Sequence, residues 1–233
     1  MFARIAGRYD LLNRLLSAGL DRRWRAAVLE VAGDVRGRRV VDACCGTGDL
    51  TLVFADAGAE AIGVDFTPEM LVHTQPKLRT GSGQPRRALF ATGDALRLPV
   101  PDASADVCSV AFGIRNVADR MLCLEEMRRV TRPGGRVIVL EFTMPPGAIL
   151  GRLYRLYFTR ILPTVGRLVS GDDDAYAYLP RTVLAWPAPP ELQAEMESVG
   201  LIDCGYRLLT RGICCLHWGS VPGVESRDDE AGG

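Results

Sequence analysis

A chain of 233 residues with 48% apolar content can bury one sizeable core and is short for two domains. Its 28 basic and 28 acidic residues cancel, so no global field recruits nucleic acid. Seven cysteines, with no CxxC spacing, argue against a disulfide framework or a zinc site and for a reducing compartment. No uninterrupted apolar run reaches the roughly 18 residues of a spanning helix, and the N-terminus lacks a secretory h-region, so a cytoplasmic setting is expected.

Residues 2 to 32 have helical periodicity, with Leu11, Leu12, Leu15 and Leu16 on one side, then Trp24, Val28, Leu29 and Val31. Gly19 and Asp21 divide the stretch into two helices, read as a cover over a sheet. Tyr9 and Asp10, polar groups heading an apolar helix, are candidates to close over a ligand.

The stretch from Arg38 to Asp65 organises the rest. Arg39 to Ala43 reads as a short buried strand, Cys44 to Asp49 as a glycine-bearing turn, and Leu50, Leu52, Val53, Phe54 and Ala57 as a helix. Ala61 to Val64 form a second strand that ends on Asp65, completing a βαβ nucleotide-binding half. A dinucleotide site wants a third glycine, and counting from Gly46 that position is Thr51. Asp42 and Asp49 flank the turn around Gly46, Thr47 and Gly48, where they would repel phosphate and attract an ammonium or sulfonium. Asp65 is placed for ribose hydroxyls. Adenosine with a cationic amino-acid tail meets these requirements, which points to S-adenosylmethionine. The plainer alternative is a tight turn with an aspartate helix cap.

Thr67-Pro68-Glu69 opens a helix expected to run to about Arg79, followed by a loop over 80–85 and a strand from Ala88 to Thr92. Asp94, just past that strand, falls beside the adenine half of the crevice, or is an ordinary turn acid. Asp106 to Phe112 is a fourth strand running into Gly113-Ile114-Arg115-Asn116-Val117. Its tip faces the crevice, which makes Arg115 a candidate for substrate contact; the alternative is a surface arginine paired with Asp119 or Glu125. Leu122 to Thr131 reads as a helix and Arg136 to Phe142 as a fifth strand carrying Glu141. Alternating helices and uniformly apolar strands predict a doubly wound, mostly parallel α/β sheet.

Residues 147 to 169 combine arginines with aromatic and aliphatic residues, a pattern that fits packing on the sheet, a lipid surface or a greasy substrate. Pro189 to Val199 is a last helix ended by Gly200. Strands near Cys204 to Leu209 and Ile213 to Trp218, joined at Thr210-Arg211-Gly212, predict an antiparallel terminal hairpin. His217 lies in its second strand. Residues 220–233 are expected to be a disordered tail.

Several stretches together, FARIAGRYDLLNRLLSAGLDRRWR, VDACCGTGDLT, VDFTPEML, AFGIRNVADR, RRVTRPGGRVIVLEF, ILPTVGRLVSGDDDAYAYL and LHWG, resemble the ubiquinone/menaquinone C-methyltransferases. The resemblance implies a seven-stranded class I S-adenosylmethionine-dependent methyltransferase fold over residues 1–219, with a helical cover at 1–32 and a substrate-side insertion at 147–180. It places Thr47, Asp65, Asp94 and Ala95 on cofactor positions, and Ala111 where many members have a serine. The implied substrate is a prenylated naphthoquinol, demethylmenaquinol, methylated to menaquinol; peripheral contact with the inner face of the membrane and a homodimer stay open. A quinol carbon becomes nucleophilic when a ring hydroxyl loses its proton, so Arg115 is the expected holder of the oxyanion. His217, Tyr9 or a water is the expected base. The competing readings are a methyltransferase of another small hydrophobic or phenolic substrate, and a non-catalytic cofactor-binding module.

Overall fold

The computed structural model describes residues 17, 19–79, 85–147, 151, 152, 154, 156 and 181–223. The elements are α1 (Asp21–Ala32), β1 (Arg39–Ala43), α2 (Asp49–Asp56), β2 (Glu60–Asp65), α3 (Pro68–Val72), β3 (Ala88–Thr92) and β4 (Ala105–Ala111), then α4 (Arg120–Val130), β5 (Thr131–Phe142), α5 (Pro189–Ser198), β6 (Ile202–Leu209) and β7 (Cys214–Ser220). Single 3-10 turns lie at Gln75–Lys77, Ile114–Asn116 and Thr210–Gly212.

The strands form one seven-stranded sheet in the order β3-β2-β1-β4-β5-β7-β6. The first five pair in parallel, whereas β7 runs antiparallel to both β5 and β6. The expected hairpin is present, with β6 at the edge and β7 inside. Strand order reverses between β1 and β4, so the connections leaving these two strands diverge and open a crevice beyond their carboxyl ends.

Both faces of the sheet are covered. Val40, Val107, Ile138 and Leu140 pack with Trp24, Val28, Leu50 and Phe54 on one side. Val41, Val110, Val137 and Val139 pack with Leu124, Met127, Leu192 and Met196 on the other. Successive residues such as Val40 and Val41 therefore point into opposite apolar layers, which is why the strands lack polar alternation.

Several boundaries differ from expectation for local reasons. The helix after Thr67 stops at Val72 instead of reaching Arg79, because Pro76 has no N–H to continue the ladder. Asp119 caps α4 by accepting from the Leu122 amide, so that helix starts at Arg120. The chain after β7 pairs with the start of β5 through Gly134 N–H to Val221 O and Val221 N–H to Gly135 O, at 2.9 Å each. Ser220 and the buried Val221 thus belong to the sheet and not to a tail. The helical periodicity ahead of Ser17, and with it Tyr9, lies outside the described residues, as does most of 147–180. Within the latter, Tyr154 packs with Val183, Phe142, Met144 and Ile213.

Candidate active site

Tight backbone at the strand tips shapes the crevice. Gly46 and Gly48 take positive φ values of 56° and 81°, and the non-glycine residues Cys44 and Phe112, at the tips of β1 and β4, do so at 52° and 58°. Such strain in side-chain-bearing residues concentrates at functional sites. Gly113 follows Phe112 and lies so close to Cys44 that a Cβ there would overlap the cysteine's own. The two tips are thus pressed together, and the space opens to either side of them.

The larger space is a cavity of about 310 Å³ bounded by the turns after β1, β2, β3 and β4. Asp65 reaches into it from the end of β2. Its Oδ2 accepts the Gly46 N–H at 2.7 Å and its Oδ1 accepts the Thr67 N–H at 2.8 Å. A carboxylate offers about four lone-pair directions, so two backbone donors fix Asp65 and leave acceptor capacity for a vicinal diol. Phe66, Met70, Ala95 and Leu96 give the same cavity apolar walls. Asp94 adds a carboxylate whose Oδ1 accepts the Leu96 N–H at 2.9 Å.

The second cavity, about 30 Å³, shares Cys44, Gly46 and Phe112 with the first and is lined as well by Arg25, Asp42, Thr47, Asp49 and Ala111. Asp42 is wholly buried; Thr51 Oγ1 donates to its Oδ2 at 2.7 Å and Ser109 Oγ to its Oδ1 at 3.1 Å. Burial outweighs these donors and pushes its carboxyl up to about 7. Asp49 is held by Lys77 Nζ at 2.8 Å and lies 3.2 Å from the Arg25 guanidinium. The expectation of two unopposed carboxylates around the turn is therefore corrected: Asp49 is already matched by cations, and Asp42 sits near half-protonation at neutral pH. Gly48 lines neither cavity, and its missing Cβ makes room for the Phe90 ring.

Arg115 also departs from expectation. Its turn borders the larger cavity, but its side chain faces inward, with Nη1 donating to Glu141 Oε2 and to the Phe112 carbonyl, both at 2.7 Å. Its partner is Glu141 rather than Asp119 or Glu125, and it lines neither cavity. The neighbouring Asn116, which the sequence reading passed over within the same GIRN turn, does line the larger cavity.

His217 is placed away from both cavities. It is 1% exposed in β7 and lies with Nε2 3.0 Å from the Pro189 carbonyl. A carbonyl only accepts, so Nε2 carries the proton in this contact, and burial pulls the imidazole down to about 4. Arg25, which lines the second cavity, is not evident from local sequence. The one available signal was its place in the RRWR run, one residue after the buried Trp24 and three before Val28.

Known proteins share this architecture. A Haloferax volcanii putative methyltransferase, solved in complex with the Trm112 methyltransferase activator, matches at TM-score 0.69 and 17% identity over 95% of this chain and 98% of that one. An Aquifex aeolicus SAM-dependent methyltransferase matches at TM-score 0.60 and 16% identity over 84% and 89%. Those likenesses show the class I methyltransferase fold. At the level of sequence, a demethylmenaquinone methyltransferase from Thermus thermophilus is 46% identical across 95% of this chain and 100% of its own. A ubiquinone/menaquinone biosynthesis C-methyltransferase from Syntrophotalea carbinolica is 44% identical across 96% and 94%. The profile of the ubiE/COQ5 methyltransferase family matches residues 1–221. With nearly the whole chain matched, the protein belongs to the ubiE/COQ5 methyltransferase family.

Proposed function

We propose that this protein is an S-adenosylmethionine-dependent C-methyltransferase that converts demethylmenaquinol to menaquinol in respiratory quinone biosynthesis. The observation that carries the reading is the crevice at the switch point, where the fixed carboxylate of Asp65 stands in an otherwise largely apolar cavity. That donor and acceptor set fits an adenosyl group. Asp65 takes the ribose hydroxyls, Met70, Ala95 and Leu96 receive the adenine face, and Asp94 takes its amino group. The relatives' names supply the substrate class, since they cover almost the full chain.

When bound, the cofactor supplies an electrophilic methyl on a sulfonium. The protein's part is to orient the quinol and favour its ionised form. Loss of a ring-hydroxyl proton moves charge onto the ortho carbon, which would take the methyl as the sulfur–carbon bond breaks and then lose its own hydrogen as a proton to solvent; alignment at about 3 to 3.5 Å supplies much of the acceleration. Arg115 holds the Phe112 carbonyl through Nη1 and is itself fixed by Glu141, which braces the GIRN turn; Asn116 on that turn, with Nδ2 3.4 Å from the same carbonyl, lines the cavity where a developing oxyanion would need a donor. Arg115 is accordingly a positioning residue. Tyr9 and water are the candidate proton acceptors. The arginine-bearing, aromatic composition of 147–180 suits contact with a prenyl tail and with a lipid surface.

The test is anaerobic incubation of the protein with S-adenosylmethionine and chemically reduced demethylmenaquinone, followed by mass spectrometry. Menaquinol with equimolar S-adenosylhomocysteine is expected. Methylation on oxygen, or turnover of simple phenols but not of the naphthoquinol, contradicts the assignment.

A further inference from the structure

The second cavity has its own charge pattern. Arg25 is the one cation among the described residues lining it, and it shares the space with the carboxylates of Asp42 and Asp49. Arg25 is only 8% exposed, yet it borders this space. One terminal nitrogen donates to Asp21 and the other lies 3.2 Å from Asp49, so part of the five-donor fork is left over. Placement is rigid. Trp24, the preceding residue, donates from Nε1 to Thr210 Oγ1 at 2.8 Å and packs its ring 5.9 Å from that of Phe112.

Two opposite charges within one small space are what a zwitterion needs. The shared wall of Cys44, Gly46 and Phe112 means that a molecule seated on Asp65 reaches the second cavity through a short chain only. On the reading that the larger cavity takes the adenosyl group, we infer that Arg25 anchors the α-carboxylate of the cofactor's amino-acid tail, with Asp42 facing its ammonium. The N-terminal helix α1 is then part of the cofactor site and not only a cover. Lys77 keeps Asp49 occupied, so Asp49 does not compete for the whole fork.

The experiment is isothermal titration of the full chain with two probes that share adenosine and sulfur. S-adenosylhomocysteine carries the amino-acid tail and 5′-methylthioadenosine lacks it. Arg25→Gln weakens S-adenosylhomocysteine binding by about 10- to 100-fold, the range for hydrogen bonds to a charged group, and leaves methylthioadenosine within about 2-fold. Asp21→Asn combined with Arg25→Gln shows the same selective loss with no carboxylate at position 21 left unpaired, and serves if the single variant does not fold. Equal weakening of both probes means that Arg25 acts through the fold, and no weakening of either means that it touches no ligand; each overturns the inference. So does a wild-type protein that binds methylthioadenosine as tightly as S-adenosylhomocysteine. If the wild-type protein binds neither probe, the adenosyl reading of the larger cavity falls first.

Discussion

Arg115 Nη1 lies 2.7 Å from Glu141 Oε2, and both side chains are buried, at 8% and 0% exposure. Burial raises the Glu141 carboxyl and the facing guanidinium opposes that rise, so each charge is tolerated because of the other. Arg115→Met leaves Glu141 uncompensated and costs about 3 to 5 kcal/mol in denaturant unfolding. The double variant Arg115→Met/Glu141→Leu regains most of this stability but not the turnover, because the GIRN turn has lost its brace. Recovery of turnover together with stability would show that the pair serves the fold alone.

Gly113 and Cys44 form the second constraint on the crevice. Gly113→Ala forces a Cβ into that of Cys44 and costs about 1 to 3 kcal/mol, as overpacking does. Adding Cys44→Gly removes the obstacle at a residue whose φ of 52° a glycine adopts freely. The double-mutant cycle is expected to show strong favourable coupling, read by thermal unfolding. Simple additivity would contradict the contact.

Asp42 ties stability to pH. Its folded pKa, about 7, exceeds the reference value of 3.8, so the folded state holds the proton longer than the unfolded one. The contribution is fully present below about pH 4 and lost as pH rises toward 7. Comparing the wild type with Asp42→Asn cancels the other titrating groups. The stability difference should move in favour of the variant by roughly 2 to 4 kcal/mol between pH 4 and 8. A flat difference across that range contradicts the buried, raised carboxyl.

His217 behaves in the opposite sense. Its folded pKa, about 4, lies below the reference 6.5, so its protonation opposes folding, and stability falls as pH drops from 6.5 toward 4. His217→Gln keeps a donor for the Pro189 carbonyl. The variant retains wild-type kcat to within about 3-fold and an unchanged pH-rate profile, since the residue lies outside both cavities. A shifted acidic limb in that profile would restore it as a base.

These outcomes mark where local sequence carries structure and where it does not. The βαβ unit, the placement of Asp65 and the bounds of the Ala88–Thr92 strand were readable, because apolar runs, glycine turns and a terminal acid are local signals. The partner of Arg115 was not, since Glu141 lies 26 residues away and meets it only where β5 runs beside β4. Arg25 was hidden for the same reason, as its neighbour Asp49 belongs to a different helix. His217 misled because a polar residue near the end of the chain says nothing about burial, and it is α5, through Pro189, that supplies its hydrogen bond. Asp49 looked like an open carboxylate until Lys77, on the 3-10 turn after α3, closed over it.

The crevice beyond β1 and β4 is the proposed seat of the methyl donor. A crystal structure of the protein with S-adenosylhomocysteine tests this most directly. The ligand is expected with its ribose hydroxyls on Asp65, its adenine beside Asp94 and Leu96, and its carboxylate toward Arg25. Density for the ligand elsewhere, with the Asp65 cavity left to water, would contradict it.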